Sequence, residues 1–171
     1  MQTIYIGHTG KTPIGDVWVA VNAKGLVAIE FPTTRAEFVA WLHQHHNCEV
    51  VASPEKTNAA VTQLKEYAAG KRRVFTLPID WSIFTDFQRA ALKKVYAIPY
   101  GETRTYADIA AQINRPRAYR AVGHANALNP IPLVIPCHRV LGADGKLHGY
   151  GAGEGLKTKA WLLKMEEKNR R

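Results

Sequence analysis

Asn129-Pro-Ile-Pro-Leu-Val-Ile-Pro-Cys-His-Arg-Val140 decides how the rest of the chain is read. Its three prolines within seven residues forbid a helix and confine the backbone to extended and turn conformations. Between them stand Ile131, Leu133, Val134 and Ile135, apolar enough to belong in a core. The pattern predicts a stiff, buried track that delivers Cys137 to a fixed place. A free thiol ionises near ~8.5, and imidazole or guanidinium neighbours lower that value, so His138 and Arg139 predict an activated cysteine. A buried, inert cysteine is the common alternative, and Cys-His adjacency alone does not displace it.

Upstream of the track the chain reads as helices from Thr85. Thr85 with Gln88 forms a capping box, and Phe87, Ala91 and Val95 predict the buried stripe of the helix behind it. Pro99-Tyr-Gly101 ends that helix. Thr105 with Asp108 is a second capping box, opening a short helix through Ile109 and Ile113. Residues 114–117 make a tight turn into a third helix, expected over residues 117–128. Two short helices so joined are a helix-turn-helix candidate. On the third helix Ala118, Ala121, Val122 and Ala125 are expected to face the core. Arg117, Arg120, His124 and Ala127 recur at i, i+3, i+7 and i+10 on another face, with Gly123 beside them. No acid occurs across residues 118–143. So basic a face, with so little bulk, suits a phosphate-lined groove; a solvated helix surface would mix Glu with Lys.

Downstream, Gly149-Tyr-Gly-Ala-Gly-Glu-Gly155 lacks the order of a phosphate-binding P-loop. Following the cysteine closely, it predicts a pocket wall whose backbone approaches a flat base. A last amphipathic helix carries Leu156, Ala160, Leu163 and Met165.

Residues 1–80 read as a small α/β sheet domain. Val17, Val19 and Val21 alternate with Trp18 and Ala20 as in a half-buried strand, residues 22–25 turn, and residues 26–31 return. Thr33 or Thr34 caps a helix carrying Phe38, Val39 and Leu42. A strand at residues 48–52 and a helix at residues 55–69, closed by Gly70, come next. Phe75, Leu77 and Ile79 alternate as a further strand. His43, His45, His46 and Cys48 invite a metal reading, but neither tight ligand pairing nor a second cluster accompanies them. An exposed helix end is the better reading, and neither metal nor cofactor is expected.

The 171 residues include 23 Lys and Arg against 14 Asp and Glu, a net charge of +9. Such an excess points to a polyanionic partner, nucleic acid being the commonest. No apolar run approaches the ~20 residues that span a membrane, and no targeting leader opens the chain. Two distant cysteines fit a reducing, cytoplasmic compartment and no structural disulfide.

The stretch around Cys137 resembles the active-site signature of the O6-alkylguanine-DNA alkyltransferases, the methylated-DNA–protein-cysteine methyltransferases. The resemblance continues through Arg120-Ala-Val-Gly123, Gly149-Tyr150 and Trp161-Leu-Leu163, and it covers nearly the whole chain. It implies a ribonuclease H-like α/β domain over residues 1–80. Over residues 81–171 it implies a mainly α, winged-helix-like domain with a helix-turn-helix. The implied function is repair of double-stranded DNA by direct reversal. Cys137 would take the alkyl group of O6-alkylguanine irreversibly, in one turnover, without a cofactor. A base inside a duplex cannot reach a buried thiol, so the target nucleotide must be flipped out.

The same resemblance distributes roles. His138 is the base, acting through a bridging water, and Asn129 holds the active-site turn. A carboxylate five residues after Trp161 orients the imidazole, which makes it Glu166, with Glu167 as the alternative. Tyr106 donates to the base ring and crowds the phosphate, while Arg120 enters the stack in place of the extruded nucleotide. Arg117, Gly123 and Ala127 belong to the helix that enters the minor groove. Val140, Tyr150 and Gly151 line the pocket. Some members carry a structural zinc in the amino-terminal region, but that ligand set has no residue-by-residue match here. The loop from Tyr150 to Trp161 is about two residues longer than in the best-known members, and Gly151 stands where many have Ser. Both departures bear on which alkyl groups fit. Relatives that only bind DNA carry Trp in place of the cysteine. A monomer is implied; cooperative assembly on DNA and action on O4-alkylthymine are left open.

Two other classes compete. A helix-turn-helix regulator with a redox or incidental cysteine would need a separate ligand domain, which residues 1–80 do not resemble. A cysteine hydrolase built on Cys137 and His138 would turn over a chromogenic ester, whereas an alkyltransferase stops at one equivalent.

Overall fold

The computed structural model describes residues 1–170, and its contacts divide the chain into two units, Met1–Asp80 and Trp81–Arg171. No helix among the described residues is long and apolar enough to cross a membrane.

In the first unit, side-chain caps set where the helices start. The strands β1 (Gln2–His8), β2 (Trp18–Asn22) and β3 (Gly25–Glu30) precede helix α1 (Arg35–His45); β4 (Cys48–Ala52) and α2 (Pro54–Ala68) come after it. Thr34 rather than Thr33 caps α1, in a capping box with Glu37. Ser53 caps α2 with Pro54 in its first turn, where a missing N–H costs nothing. The sheet order is β3-β2-β1-β4, with β1 antiparallel to β2 and parallel to β4. Strand β1 has no place in the sequence reading, although Ile4 and Ile6 are its buried alternate residues.

Two expectations for this unit are corrected. The strand at Val17–Val21 is not half-buried: Val17, Trp18, Val19 and Ala20 are all buried. Strand β2 lies inside the sheet between β1 and β3, and Trp18 meets Phe38 of α1. The alternation of Phe75, Leu77 and Ile79 does not become a strand. Pro78 lacks an N–H, so pairing shrinks to a bridge in which its carbonyl accepts from Leu26 and Leu26 accepts from Asp80.

The second unit contains α3 (Asp86–Tyr96), β5 (Arg104–Thr105), α4 (Tyr106–Gln112), α5 (Tyr119–Ala127), β6 (Val140–Leu141) and α6 (Leu156–Asn169). Both expected capping boxes form, Thr85 with Gln88 and Thr105 with Asp108. The parallel pair β5 and β6 sets Arg104 beside Val140 and Thr105 beside Leu141. This short ladder ties the start of α4 to the residues just after Cys137.

Here too the helix faces differ from expectation. Helix α5 starts at Tyr119, not Arg117, because Asn114 takes φ +60° and Ala118 N–H closes a turn onto Arg115. Its core face is Val122, Ala125 and Asn126, whereas Ala121 is exposed. Helix α6 exposes Leu156 and Ala160 and buries Lys159, Leu162 and Glu166. A helix that turns a lysine and a glutamate inward must pair both, since unpaired buried charge costs several kcal/mol.

Candidate active site

The proline track is buried, but it is folded into turns rather than extended. Ile131, Leu133, Val134 and Ile135 are each at most 3% exposed. Ile135 N–H donates to the Ile131 carbonyl, and Leu133 sits at φ +74°. A left-handed leucine costs of order 1–3 kcal/mol, held here by burial of four aliphatic side chains. Asn129 staples the loop: its Nδ2 donates to the Ile135 carbonyl at 2.9 Å, and its Oδ1 accepts from Ile131 N–H at 3.0 Å. The loop ends in a one-turn 3₁₀ segment, Cys137–Arg139, all three residues of which are buried.

Glu166 is the hub of the buried polar cluster beside this turn. His138 Nε2 lies 2.8 Å from its Oε1. Arg139 donates to both oxygens through Nε, at 3.2 and 2.9 Å, and again through Nη2 at 2.8 Å. Gly101 N–H adds a longer bond of 3.3 Å, and Arg139 Nη1 reaches the Ile98 carbonyl at 2.7 Å. Burial pushes the Glu166 carboxyl up, but the hydrogen bonds and charges of His138 and Arg139 outweigh it and hold it down at about 2. Glu166 is therefore the carboxylate paired with His138; Glu167 lies on the exposed side of α6. Because the carboxylate can only accept, Nε2 carries the proton of the neutral ring and Nδ1 is the basic nitrogen. Burial pushes the imidazolium form of His138 down, against the pull of Glu166.

The expectation of a thiol lowered by His138 and Arg139 is corrected. Burial pushes the Cys137 thiol up, opposed by a hydrogen bond from Asn129 and by the charge of Lys159. The physical reason is direction: the guanidinium of Arg139 is spent on Glu166, and the adjacent imidazole is neutral. Burial thus favours the protonated thiol over a stored thiolate.

Lys159 is the residue the sequence reading passed over. It is fully buried, and its Nζ donates to the Val140 and His148 carbonyls at 2.8 Å each, 5.9 Å from the Tyr106 ring centre. Burial lowers its ammonium to about 8, against the opposing charge of Cys137. Only the i, i+3, i+7 spacing of Lys159, Leu162 and Glu166 could have flagged it, and the apolar stripe drawn on Leu156 and Leu163 hid that face.

Of the residues expected to line a pocket, Val140 directly follows the same turn. Val140 is buried and offers its carbonyl to Lys159. Tyr106 hydroxyl reaches the His148 carbonyl at 3.4 Å, and burial with the Cys137 charge pushes the phenol up. Tyr150 is buried, and its hydroxyl has no hydrogen-bond partner among the described residues. Gly151 is packed so closely that a Cβ there would stand 3.0 Å from the Ala127 carbonyl oxygen. On α5 and the turn before it, Arg117, Arg120, His124 and Ala127 are all exposed or half-buried, on the side the spacing predicts, and Gly123 lies against the Tyr106 ring. The amino-terminal histidines are elsewhere: His45 stacks on Trp41 and bonds to its carbonyl through Nδ1. No three His, Cys, Asp or Glu side chains converge as a metal site among the described residues.

The cysteine, imidazole and carboxylate lie in a region similar to known proteins. Residues 4–81 match the family described as the 6-O-methylguanine DNA methyltransferase ribonuclease-like domain. Residues 86–168 match its DNA binding domain. A methylated-DNA–protein-cysteine methyltransferase of Methanosarcina barkeri is 45% identical over 163 residues, covering 94% of this chain and 96% of the relative. The Mycobacterium tuberculosis protein of the same name is 49% identical over 160 residues, 94% of this chain and 91% of its own. A crystal structure of the Mycobacterium tuberculosis OGT protein in complex with DNA superposes with a TM-score of 0.77 at 37% identity, covering 96% of this chain and 94% of that one.

Proposed function

Because the chain belongs to the 6-O-methylguanine DNA methyltransferase family, we propose that Cys137 is the acceptor in DNA repair by direct methyl transfer. The observation that carries this reading is the buried His138–Glu166 pair directly after Cys137 in the chain, an imidazole held by an ionised carboxylate where burial keeps the neighbouring thiol protonated. The thiol proton passes to His138 Nδ1 through a bridging water, and Glu166 stabilises the imidazolium. The thiolate sulfur attacks the methyl carbon, the S–C bond forms, and the C–O6 bond breaks with its electron pair on the guanine oxygen. Tyr106 donates a hydrogen bond to the base as this charge develops. The thioether is not hydrolysed, so the protein is consumed.

The partner is double-stranded DNA, and O6-alkylguanine is the lesion. Residues 1–80 hold eight basic and seven acidic side chains; residues 81–171 hold fifteen and seven, so the second unit carries nearly all the net positive charge. Arg117, Arg120 and the small residues Gly123 and Ala127 form its DNA face, entering the minor groove without strong sequence preference. Arg120 fills the space left by the flipped nucleotide. The protein acts as a monomer. Incubation with O6-methylguanine duplex, digestion and mass mapping should place one methyl group on Cys137. Methylation of Cys48 instead, or repeated turnover, would overturn the assignment.

A further inference from the structure

Asn126 is a polar residue in the core face of α5 that the transfer chemistry leaves without a role. It is 7% exposed, and its Nδ2 donates to the Cys137 carbonyl at 3.1 Å. That bond fixes the amide's orientation, since the flipped form would set two acceptor oxygens against each other. One consequence is an acceptor left over: Asn126 Oδ1 is buried with no hydrogen-bond partner among the described residues. Such a group is a standing cost, tolerated where the arrangement serves something else. A second consequence concerns Tyr106. Its ring lies 3.9 Å from where a Gly123 Cβ would be, and Asn126 is one turn further along the same side of α5. An Nδ2 has two hydrogens, and only one is used by Cys137.

We propose that Asn126 is a positioning residue that aims the Tyr106 hydroxyl proton at the target base. Its second N–H donates to the tyrosine oxygen, so the hydroxyl must send its own hydrogen away from α5, to the His148 carbonyl at 3.4 Å while the pocket is empty and to the base once the nucleotide enters. Burial and the Cys137 charge push the Tyr106 phenol up, opposed by Asn126 as a donor to its oxygen. One side chain thereby links the DNA-facing helix, the backbone of the nucleophile and the donor to the base. This inference rests on the assignment of Tyr106 to the base pocket.

A double-mutant cycle tests it. Single-turnover rates with free O6-benzylguanine are measured for the wild type, Asn126→Ala, Tyr106→Phe and the pair. Asn126→Ala is expected to slow the reaction about tenfold, the scale of one oriented hydrogen bond. In the Tyr106→Phe background the same change should cost less than about twofold, because the hydroxyl it orients is gone. Equal losses in both backgrounds would mean that Asn126 only supports the Cys137 turn, and the role would fall. A Tyr106→Phe variant as fast as wild type would withdraw the tyrosine assignment first and this one with it. If Asn126→Ala does not fold, Asn126→Leu, which keeps the volume and removes both donors, carries the same cycle.

Discussion

The two units of this chain bury different things. Inside Met1–Asp80 the large buried side chains include Trp18, Phe31, Phe38, Tyr67, Leu42 and Leu64, and Asp80 is the one acidic or basic residue buried among the described residues there. Inside Trp81–Arg171 the buried set includes His138, Arg139, Lys159 and Glu166. A core made for stability has no need of two cations and an anion, because well-packed apolar residues do as well or better. The difference fits a second core that holds the proposed reaction, its charged groups set among the apolar side chains of the track.

The largest expected effect removes the reason for that core. Cys137→Ala should abolish methyl transfer while leaving affinity for undamaged duplex within about twofold, since binding is assigned to the charged face. Gel-shift titration beside the transfer assay checks both halves, and residual transfer would break the contrast.

Next comes the hub. Glu166→Ala strands the Arg139 guanidinium and removes the partner of His138, so it should cost about 3–5 kcal/mol of stability and most of the activity. Leu64→Ala in the other unit should cost a similar amount, about 2–5 kcal/mol, by leaving a cavity, yet leave the transfer rate of the folded protein unchanged. Urea unfolding and single-turnover rates on both variants decide whether stability and chemistry separate as stated.

The same hub has a pH signature. Glu166 is lowered from the ordinary 4.5 to about 2, so it contributes stability that is full above about pH 4.5 and lost as pH falls toward 2. His138 is also lowered, so it resists protonation in the fold and adds acid destabilisation as pH drops below its ordinary 6.5. Stability should therefore fall from about pH 6.5 downward. In a Glu166→Gln variant the part between about pH 4.5 and 2 should flatten; an unchanged acid limb would show that other carboxylates set it.

Smaller still is the loss at the DNA face. Arg120→Ala should slow repair of duplex by more than about tenfold, roughly 1.4 kcal/mol, and leave reaction with free O6-benzylguanine near normal. Equal loss on both substrates would assign the arginine to structure. Smallest is Arg117→Ala, expected to reduce the slope of log affinity against log salt by about one. A nearly salt-independent affinity in the wild type would place the DNA surface elsewhere.

Much of the site was legible because its signals are local. A Pro-rich apolar run ending in Cys-His-Arg, two capping boxes, and a basic stripe without acids depend only on neighbours in sequence. Cys137, His138, Asn129, Arg117 and Arg120 came from such signals or from the family resemblance they support. Lys159 and Asn126 did not, because a single polar residue on a helix carries no mark of which way it will face. The stripe drawn on α6 ran through Leu156 and Leu163, and the fold turned the neighbouring side, Lys159, Leu162 and Glu166, inward.

What the sequence determined by itself is the set of chemical parts and their mounting, a cysteine held by prolines with a histidine beside it; the carboxylate on the last helix came from the family resemblance. The tertiary structure decided how their charges are shared. Arg139, close to the thiol in sequence, turns to Glu166, and burial then raises the thiol instead of lowering it. Adjacency fixes which groups are near, but the direction of a side chain and the water removed from around it are set only when distant segments pack, here residues 98–101 and α6 against the 137–139 turn.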